Sequence, residues 1–310
     1  MQTILGAGGV IGTELAKALT VYTKDIRLVS RNPKKVNETD TLFVGDLTKD
    51  IEVNNAVKGS EVVYLTAGLP YNTKFWQSTW PVIMRNVINA CIENKSRLVF
   101  FDNIYMYDGK DLNPITETTT INPPSRKGKV RADIVKMIWN AVQNQGLVAL
   151  IARAADFYGP SVKNVSVLTE TIIKPLSEGK TANWLVDDQF KHSYTYTIDA
   201  GKATALLGNS LDAFGETWHL PTAKDPWTGK EWIEVIAREL GVQPKYRTVS
   251  KTMVKLIGIF VPVMRESHEM LYQYDKDYVF NSDKFESRFS FKPTTYIAGI
   301  KEIVSVDYKK

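Results

Sequence analysis

The sequence predicts an α/β fold, a Rossmann-type doubly wound parallel sheet with a smaller mixed C-terminal substrate domain. Three observations predict it. Short β-rich runs alternate with helix-period stretches through the first third of the chain. A glycine-rich turn joins the first run to the first helical stretch, and the regularity weakens after about residue 160. Strands alternating with helices imply βαβ units, whose right-handed crossovers put helices on both faces of one parallel sheet.

The β-rich runs are Gln2–Leu5, Ile26–Ser30, Thr41–Val44, 61–66 and Arg97–Asp102. Between them, 10–22 carries apolar residues at Ile11, Leu15, Ala18 and Leu19, and 75–93 carries Trp76, Trp80, Ile83, Val87, Ala90 and Cys91. Both sets recur at the spacing that lines one face of a helix. A helix over 129–144 leads to a strand over 147–152. Further on come a helix at 166–177, a strand at 193–197 and a helix at 200–207, and 217–310 reads as mixed short elements. Gly159-Pro160 is the clearest boundary signal. The expected division is 1–165 for the dinucleotide-binding domain, with 192–222 returning to it, and 166–310 mostly for a substrate lid.

Composition narrows the function classes. The chain has 310 residues, 44% hydrophobic and 24% charged, which argues against disorder. Lys+Arg 39 against Asp+Glu 34 gives a net charge of +5 with no dense basic run, so nucleic acid is not an expected partner. One cysteine, Cys91, excludes an internal disulfide, and the three scattered histidines argue against zinc. The apolar run 256–264 is broken by Gly258 and Pro262 and is too short to span a bilayer. The N-terminus opens directly on a strand-like segment, so no signal peptide is expected. A cytoplasmic protein with a small-molecule substrate and no membrane partner is the expectation, and the helices at 75–93 and 129–144 could pair in a homodimer.

The strongest single signal is Gly6-Ala7-Gly8-Gly9-Val10-Ile11-Gly12. Gly6 would let the chain turn sharply, Gly9 would let backbone approach a pyrophosphate, and Gly12 would let the helix lie close on the sheet. The helix N-terminus, including Val10 and Ile11, would then hold the anion. The second strand ends at Ser30-Arg31, where an NAD site usually carries an acid for the ribose hydroxyl. A guanidinium there suits a 2′-phosphate, so NADP(H) is favoured over NAD(H). Asp46-Leu47 could flank the adenine, and the small residues Thr66-Ala67-Gly68 would admit a ribose.

On these residues the sequence resembles the short-chain dehydrogenase/reductase superfamily in its extended, NAD-dependent epimerase/dehydratase-like form. The resemblance extends through LVFFDNIYMYD (98–108), Pro114-Ile115-Thr116-Glu117, RAADFYGP (153–160), Asp199, Trp218-His219-Leu220-Pro221 and Phe291-Lys292-Pro293. It places Asn103 and Phe157 at the cofactor. It also implies a catalytic Tyr, a Lys four residues later and a Ser or Thr on the preceding strand end, the Lys lowering the pKa of the phenol so that it can exchange a proton with substrate. Here Lys127 stands at the Tyr position, Arg131 at the Lys position and Asn103 at the Ser/Thr position.

Three readings follow. Lys127 is itself the acid–base, with Arg131 favouring its neutral amine and Asn103 binding a carbonyl oxygen. Or a displaced tyrosine serves, with Tyr105, Tyr107 and Tyr158 as candidates. Or the protein binds NADPH without turnover, as a sensor or regulator. Lys127, Lys129 and Arg131 could also be only a solvated helix start, or Arg131 could bind a ribose or a substrate phosphate. The leading expectation is NADP(H)-dependent oxidation or reduction of a small carbonyl/alcohol substrate with a non-standard acid–base residue. The alternatives are the sensor and a nucleotide-sugar epimerase or dehydratase. Trp184 and Tyr272 are candidates to stack on a substrate ring.

Overall fold

The computed structural model describes residues 1–162 and 165–308. In chain order the elements are β1 (Gln2–Leu5), α1 (Val10–Leu19), β2 (Ile26–Ser30), β3 (Thr41–Val44), α2 (Asp50–Val57), β4 (Val62–Leu65), α3 (Thr73–Glu93), β5 (Arg97–Asp102), α4 (Arg126–Asn144), β6 (Ala149–Arg153) and β7 (Asp156–Tyr158). A π-helical turn (Thr169–Ile173) then leads into α5 (Lys174–Ser177), β8 (Ala182–Leu185), β9 (Tyr194–Tyr196), α6 (Thr197–Gly208), β10 (Thr217–His219), α7 (Gly229–Leu240) and β11 (Tyr246–Val249). The chain closes with α8 (Lys251–Ile257), α9 (Pro262–Ser267), α10 (Asp283–Phe289) and α11 (Tyr296–Ile303).

Two compact units share this chain. The first comprises residues 1–106, 126–153 and 198–220, and the second 107–125, 154–197 and 221–310. The first unit holds a seven-stranded, all-parallel sheet in the order β10-β6-β5-β4-β1-β2-β3. This is the doubly wound α/β architecture that the strand–helix rhythm anticipates. The order reverses at β1, which lies between β2 and β4, and such reversals leave a crevice outside the strands' C-terminal ends. β1, β4 and β6 are buried throughout, as strands covered on both faces must be, whereas the edge strand β3 is largely exposed. Leu65, Trp80, Met84, Val87, Phe100, Ile134 and Ile138 meet in one core, each large apolar side chain contributing about 1.5–3 kcal/mol by its burial.

Caps set the helix limits. α3 begins at Thr73, before the expected 75, because the Asn72 side chain accepts from the Phe75 amide at 2.9 Å. α4 starts at Arg126, so Lys127 and Arg131 both lie inside it, one helical turn apart. The helix α2 escaped the apolar-period reading. Its sequence, DIEVNNAV, buries only Val53, Ala56 and Val57.

The second unit contains two small parallel pairs, β8 with β11 and β7 with β9. The helix expected over 166–177 is divided into the π turn and α5. α7 opens with a reciprocal cap, Thr228 with Glu231, and closes on Gly241 in the left-handed region. Its core is aromatic: the Tyr158 ring lies among Tyr196, Trp232 and Tyr296 at 5.2–5.8 Å between centroids. Trp184 is 3% exposed and presents its edge to His192 and Tyr274. Tyr158 and Trp184 are therefore core residues of this unit, which corrects their reading as candidates for catalysis and for substrate stacking. Among the described residues no helix is long and apolar enough to cross a membrane.

Candidate dinucleotide and catalytic site

The glycine loop follows β1 at the point where the strand order reverses. Gly6 has φ +92°, and a Cβ there would lie 2.4 Å from the Ala67 Cα on the segment following β4. The Gly6 and Ala7 amides both donate to the Val29 carbonyl, at 2.9 and 3.1 Å. A Cβ on Gly12 would lie 3.0 Å from the Ala7 Cα and 3.3 Å from the Thr66 hydroxyl. These two glycines are demanded by the protein's own packing. Gly9 is different. A Cβ there would meet only the Gly6 carbonyl, at 3.9 Å, and Gly8 and Gly68 have nothing within 4 Å.

Gly9 is the N-cap of α1, and it provides no side-chain cap. The first turn of α1 carries no acidic residue. Bare amides at the positive end of a helix dipole, beside glycines that leave open space, suit a diphosphate. The residues present thus fit a dinucleotide. Gly6 to Gly12 make the turn into α1, with Val10 and Ile11 at the start of the helix.

Ser30 ends β2 and Arg31 follows it. Ser30 Oγ accepts from the Asn32 amide at 3.3 Å, and Arg31 is exposed. The following segment is a loop held by Asp40, whose carboxylate accepts from the Val36 and Asn37 amides at 3.0 and 2.7 Å. Asp46 accepts from the Thr48 amide and hydroxyl at 2.9 and 2.8 Å, and these bonds, with Arg31 and Lys49 nearby, hold its carboxyl below the usual carboxylate range. The Leu47 carbonyl accepts from the Asn86 side chain of α3 at 3.0 Å. Thr66 bonds back to the Leu5 carbonyl through its amide at 2.9 Å.

On α4, Lys127 and Arg131 are both buried, at 0% and 4% exposure. A solvated basic helix start is therefore not what these two residues form. Lys127 Nζ donates to Thr73 Oγ1 at 2.9 Å and sits 4.4 Å from the centre of the half-buried Tyr71 ring. Arg131 donates to Asp102 through Nε at 2.8 Å and through Nη2, and Arg153 Nε reaches the other carboxylate oxygen at 3.2 Å. Its guanidinium also lies 4.6 Å from Trp80 and 4.8 Å from Phe100. A cation held by a carboxylate and two rings is a structural anchor. The carboxylate, shared with Arg153, offsets only part of the field that Arg131 was expected to impose on Lys127.

Asn103 follows β5 directly, and its side-chain oxygen accepts from the Tyr105 amide at 3.0 Å. Tyr105 stacks on Trp76 at 6.4 Å, and Trp76 Nε1 donates to the Pro70 carbonyl. Tyr107 and Phe157 belong to the second unit. Tyr107 is fully buried and makes a β-bridge with Ile121, while Phe157 accepts from Ser166 Oγ through its carbonyl at 2.7 Å.

The structure thus groups Lys127, Thr73 and Tyr71, and separately Arg131, Asp102 and Arg153. Sequence reasoning missed Thr73, Tyr71 and the role of Asp102. One signal was available: Asp102 and Arg153 are the charged ends of two otherwise mostly apolar strands, and they face each other in register.

Residues 3–219 match the model of the NAD dependent epimerase/dehydratase family. A Bacillus subtilis (strain 168) protein described as the uncharacterized UDP-glucose epimerase YtcB is 23% identical over 243 residues, covering 71% of this chain and 76% of its own length. Among solved structures, the UDP-glucuronic acid 4-epimerase of Bacillus cereus in complex with NAD aligns over 100% of both chains with a TM-score of 0.79 and 16% identity. The UDP-glucose 4-epimerase of Thermus thermophilus, in complex with NAD, aligns over 98% of each chain with a TM-score of 0.78 and 17% identity. At such identities the structural likeness speaks to the fold.

Proposed function

Because the chain belongs to the NAD dependent epimerase/dehydratase family, we propose that it binds a nicotinamide dinucleotide and acts on a nucleotide-sugar by reversible hydride transfer. The observation that carries this reading is the glycine cradle: Gly9 needs no missing Cβ for the protein's own packing, yet it caps a helix whose first turn lacks any side-chain cap. The relatives, two of them nucleotide-sugar epimerases with bound NAD, support an epimerase or dehydratase over a reductase of small carbonyl compounds. The dinucleotide, when bound, supplies the hydride acceptor and donor.

The protein's own residues would then divide the work. Gly6, Gly9, Val10, Ile11 and Gly12 hold the diphosphate, Asp46 and Leu47 flank the adenine, and Thr66, Ala67 and Gly68 admit a ribose. Arg31 and Ser30, with no acid on the β2 end, support NADP(H) over NAD(H). Asp46 opposes that preference, since its carboxylate interacts with the Arg31 charge that would meet a 2′-phosphate. Lys127 Nζ exchanges the proton with the substrate hydroxyl, Asn103 bonds the same oxygen, and Arg131 positions α4 through Asp102.

Titration with NADH and NADPH tests the cradle. Gly9→Ala should weaken binding of the favoured cofactor at least about tenfold with an unchanged melting temperature, since one clash at a diphosphate exceeds about 1.4 kcal/mol. Equal binding by the variant refutes the cradle. Tighter NADH than NADPH binding in the wild type refutes the role of Arg31. Conversion of UDP-glucose, UDP-N-acetylglucosamine and dTDP-glucose, with Lys127→Met as control, tests the chemistry, and loss of a proton-transfer group should cost about a hundredfold or more. The complete burial of Lys127 favours a second reading, a dinucleotide-binding regulator. Tight cofactor binding with no conversion of any of the three sugars would establish it.

A further inference from the structure

The hairpin formed by α8 and α9 places its apolar side chains on the outside. Phe260 is 85% exposed, Ile259 65%, Leu256 58% and Val263 54%. Only Val254 and Met264 turn inward, against Val249 and Leu271. A soluble surface rarely leaves such residues contiguous without a partner.

The backbone of the tip is already satisfied. The amides of Gly258, Ile259, Phe260 and Val261 donate within the hairpin at 2.9, 3.2, 3.0 and 2.9 Å, and Pro262 has no N–H. A segment with its donors paired internally can leave water without leaving polar groups orphaned. Gly258 fixes the crossing: a Cβ there would lie 2.9 Å from the Arg265 backbone.

Charge decides the occupant. Within α8 and α9 the chain carries Lys251, Lys255 and Arg265 against one acidic residue, the half-buried Glu266. Lys251 is paired with Asp275, whereas Lys255 and Arg265 are exposed at the base of the apolar tip. An apolar tip above a predominantly basic collar matches the boundary between acyl chains and anionic headgroups.

We propose that the α8–α9 hairpin docks this protein on the surface of a bilayer containing anionic lipid, with Phe260 and its neighbours entering the headgroup boundary. The hairpin lies in the interface and does not span it. The proposal runs counter to the expectation that no membrane partner is involved.

Sedimentation of the full chain with vesicles tests the proposal. Vesicles of phosphatidylcholine with about 30% phosphatidylglycerol should carry the protein down, phosphatidylcholine alone should carry much less, and added salt should weaken binding. Phe260→Asp should lower the partition coefficient at least about tenfold, from the lost apolar burial. Lys255→Gln should lower it about fivefold. Both sites are exposed, so both variants should melt as the wild type does. Absence of binding to the anionic vesicles overturns the proposal, as does a Phe260→Asp variant that binds like wild type. It is equally overturned by a wild-type dimer that Phe260→Asp dissociates without any vesicle binding, which would assign the hairpin to a second copy of the chain.

Discussion

Replacing Asp102 by asparagine removes one negative charge from beneath two buried guanidinia while keeping the side chain's shape. Asp102 accepts from Arg131 through two nitrogens, one at 2.8 Å, and from Arg153 at 3.2 Å. All three side chains are at most 4% exposed, so no solvent replaces the lost carboxylate. Charge-assisted hydrogen bonds contribute about 1.5–3 kcal/mol each, and breaking a buried pair on one side costs about 3–5 kcal/mol because the remaining cations stay desolvated. The lower sum applies here, since the amide oxygen still accepts one bond. We expect Asp102→Asn to destabilise the sheet-bearing unit by about 3–5 kcal/mol, which at about 2–4 °C per kcal/mol lowers its melting temperature by roughly 6–20 °C. Urea denaturation gives the measurement. With two compact units, the first transition to shift identifies the one affected. Arg131→Met in the Asp102→Asn background should cost less than the sum of the single changes, because it removes an orphaned cation. A loss below about 1 kcal/mol for Asp102→Asn would refute the anchoring role of the network, since that is the range of solvated surface pairs.

Three further outcomes follow from the geometry. Gly6→Ala combines a φ of +92° with a Cβ 2.4 Å from the Ala67 backbone, so denaturation should show a loss of about 2–5 kcal/mol from strain and overpacking together. Burial pushes the Cys91 thiol well above its usual range. An aromatic disulfide reagent should therefore modify it only after unfolding, and rapid labelling of the folded protein would contradict the packing. The Tyr246 hydroxyl donates to Asp188 at 2.6 Å, and this bond and burial push its pKa from the ordinary 10.0 up to about 12. Its contribution to stability is present below pH 10, where neither state is ionised. It declines as the pH rises toward about 12, because the unfolded chain ionises first. The tyrosinate absorbance difference between wild type and Tyr246→Phe should accordingly appear near pH 12, and ionisation near pH 10 would show that the bond does not form in solution.

How much of this was legible in the sequence depends on which interactions are local. The parallel sheet was, because most of its strands and helices bury a face whose period shows in a dozen residues. Gly6 and Gly12 were legible as turn and close-approach positions. The helix α2 was not, because an eight-residue helix with three buried residues leaves little periodicity to read. The excursion 107–125 into the second unit was not either, since no composition change marks it. At the site, Lys127 and Arg131 stood out by position, but their separate surroundings did not. Thr73 lies 54 residues from Lys127, and Asp102 lies 29 from Arg131, distances that only the folded sheet closes.

That separation bears on the chemistry. In the pattern this sequence resembles, a lysine one turn along the helix keeps its charge available to the proton-transferring group. Here the corresponding guanidinium is committed to Asp102 at the end of β5 and flanked by Trp80 and Phe100. One carboxylate shared by Arg131 and Arg153 leaves the cluster with one net positive charge, so the field that reaches Lys127 is reduced and not cancelled. The same carboxylate sits immediately before Asn103, so the anchor that fixes α4 also fixes the strand end that would meet a substrate oxygen. In the proposed function Arg131 holds two elements in register, and proton transfer is assigned to Lys127, whose hydrogen bond the Thr73 hydroxyl accepts. Arg131→Met separates the two roles. Methionine has neither the fork that grips Asp102 nor the charge and should destabilise the fold, yet it should leave the pH profile of sugar conversion where it was. A shifted profile in that variant would return the arginine to the reaction itself.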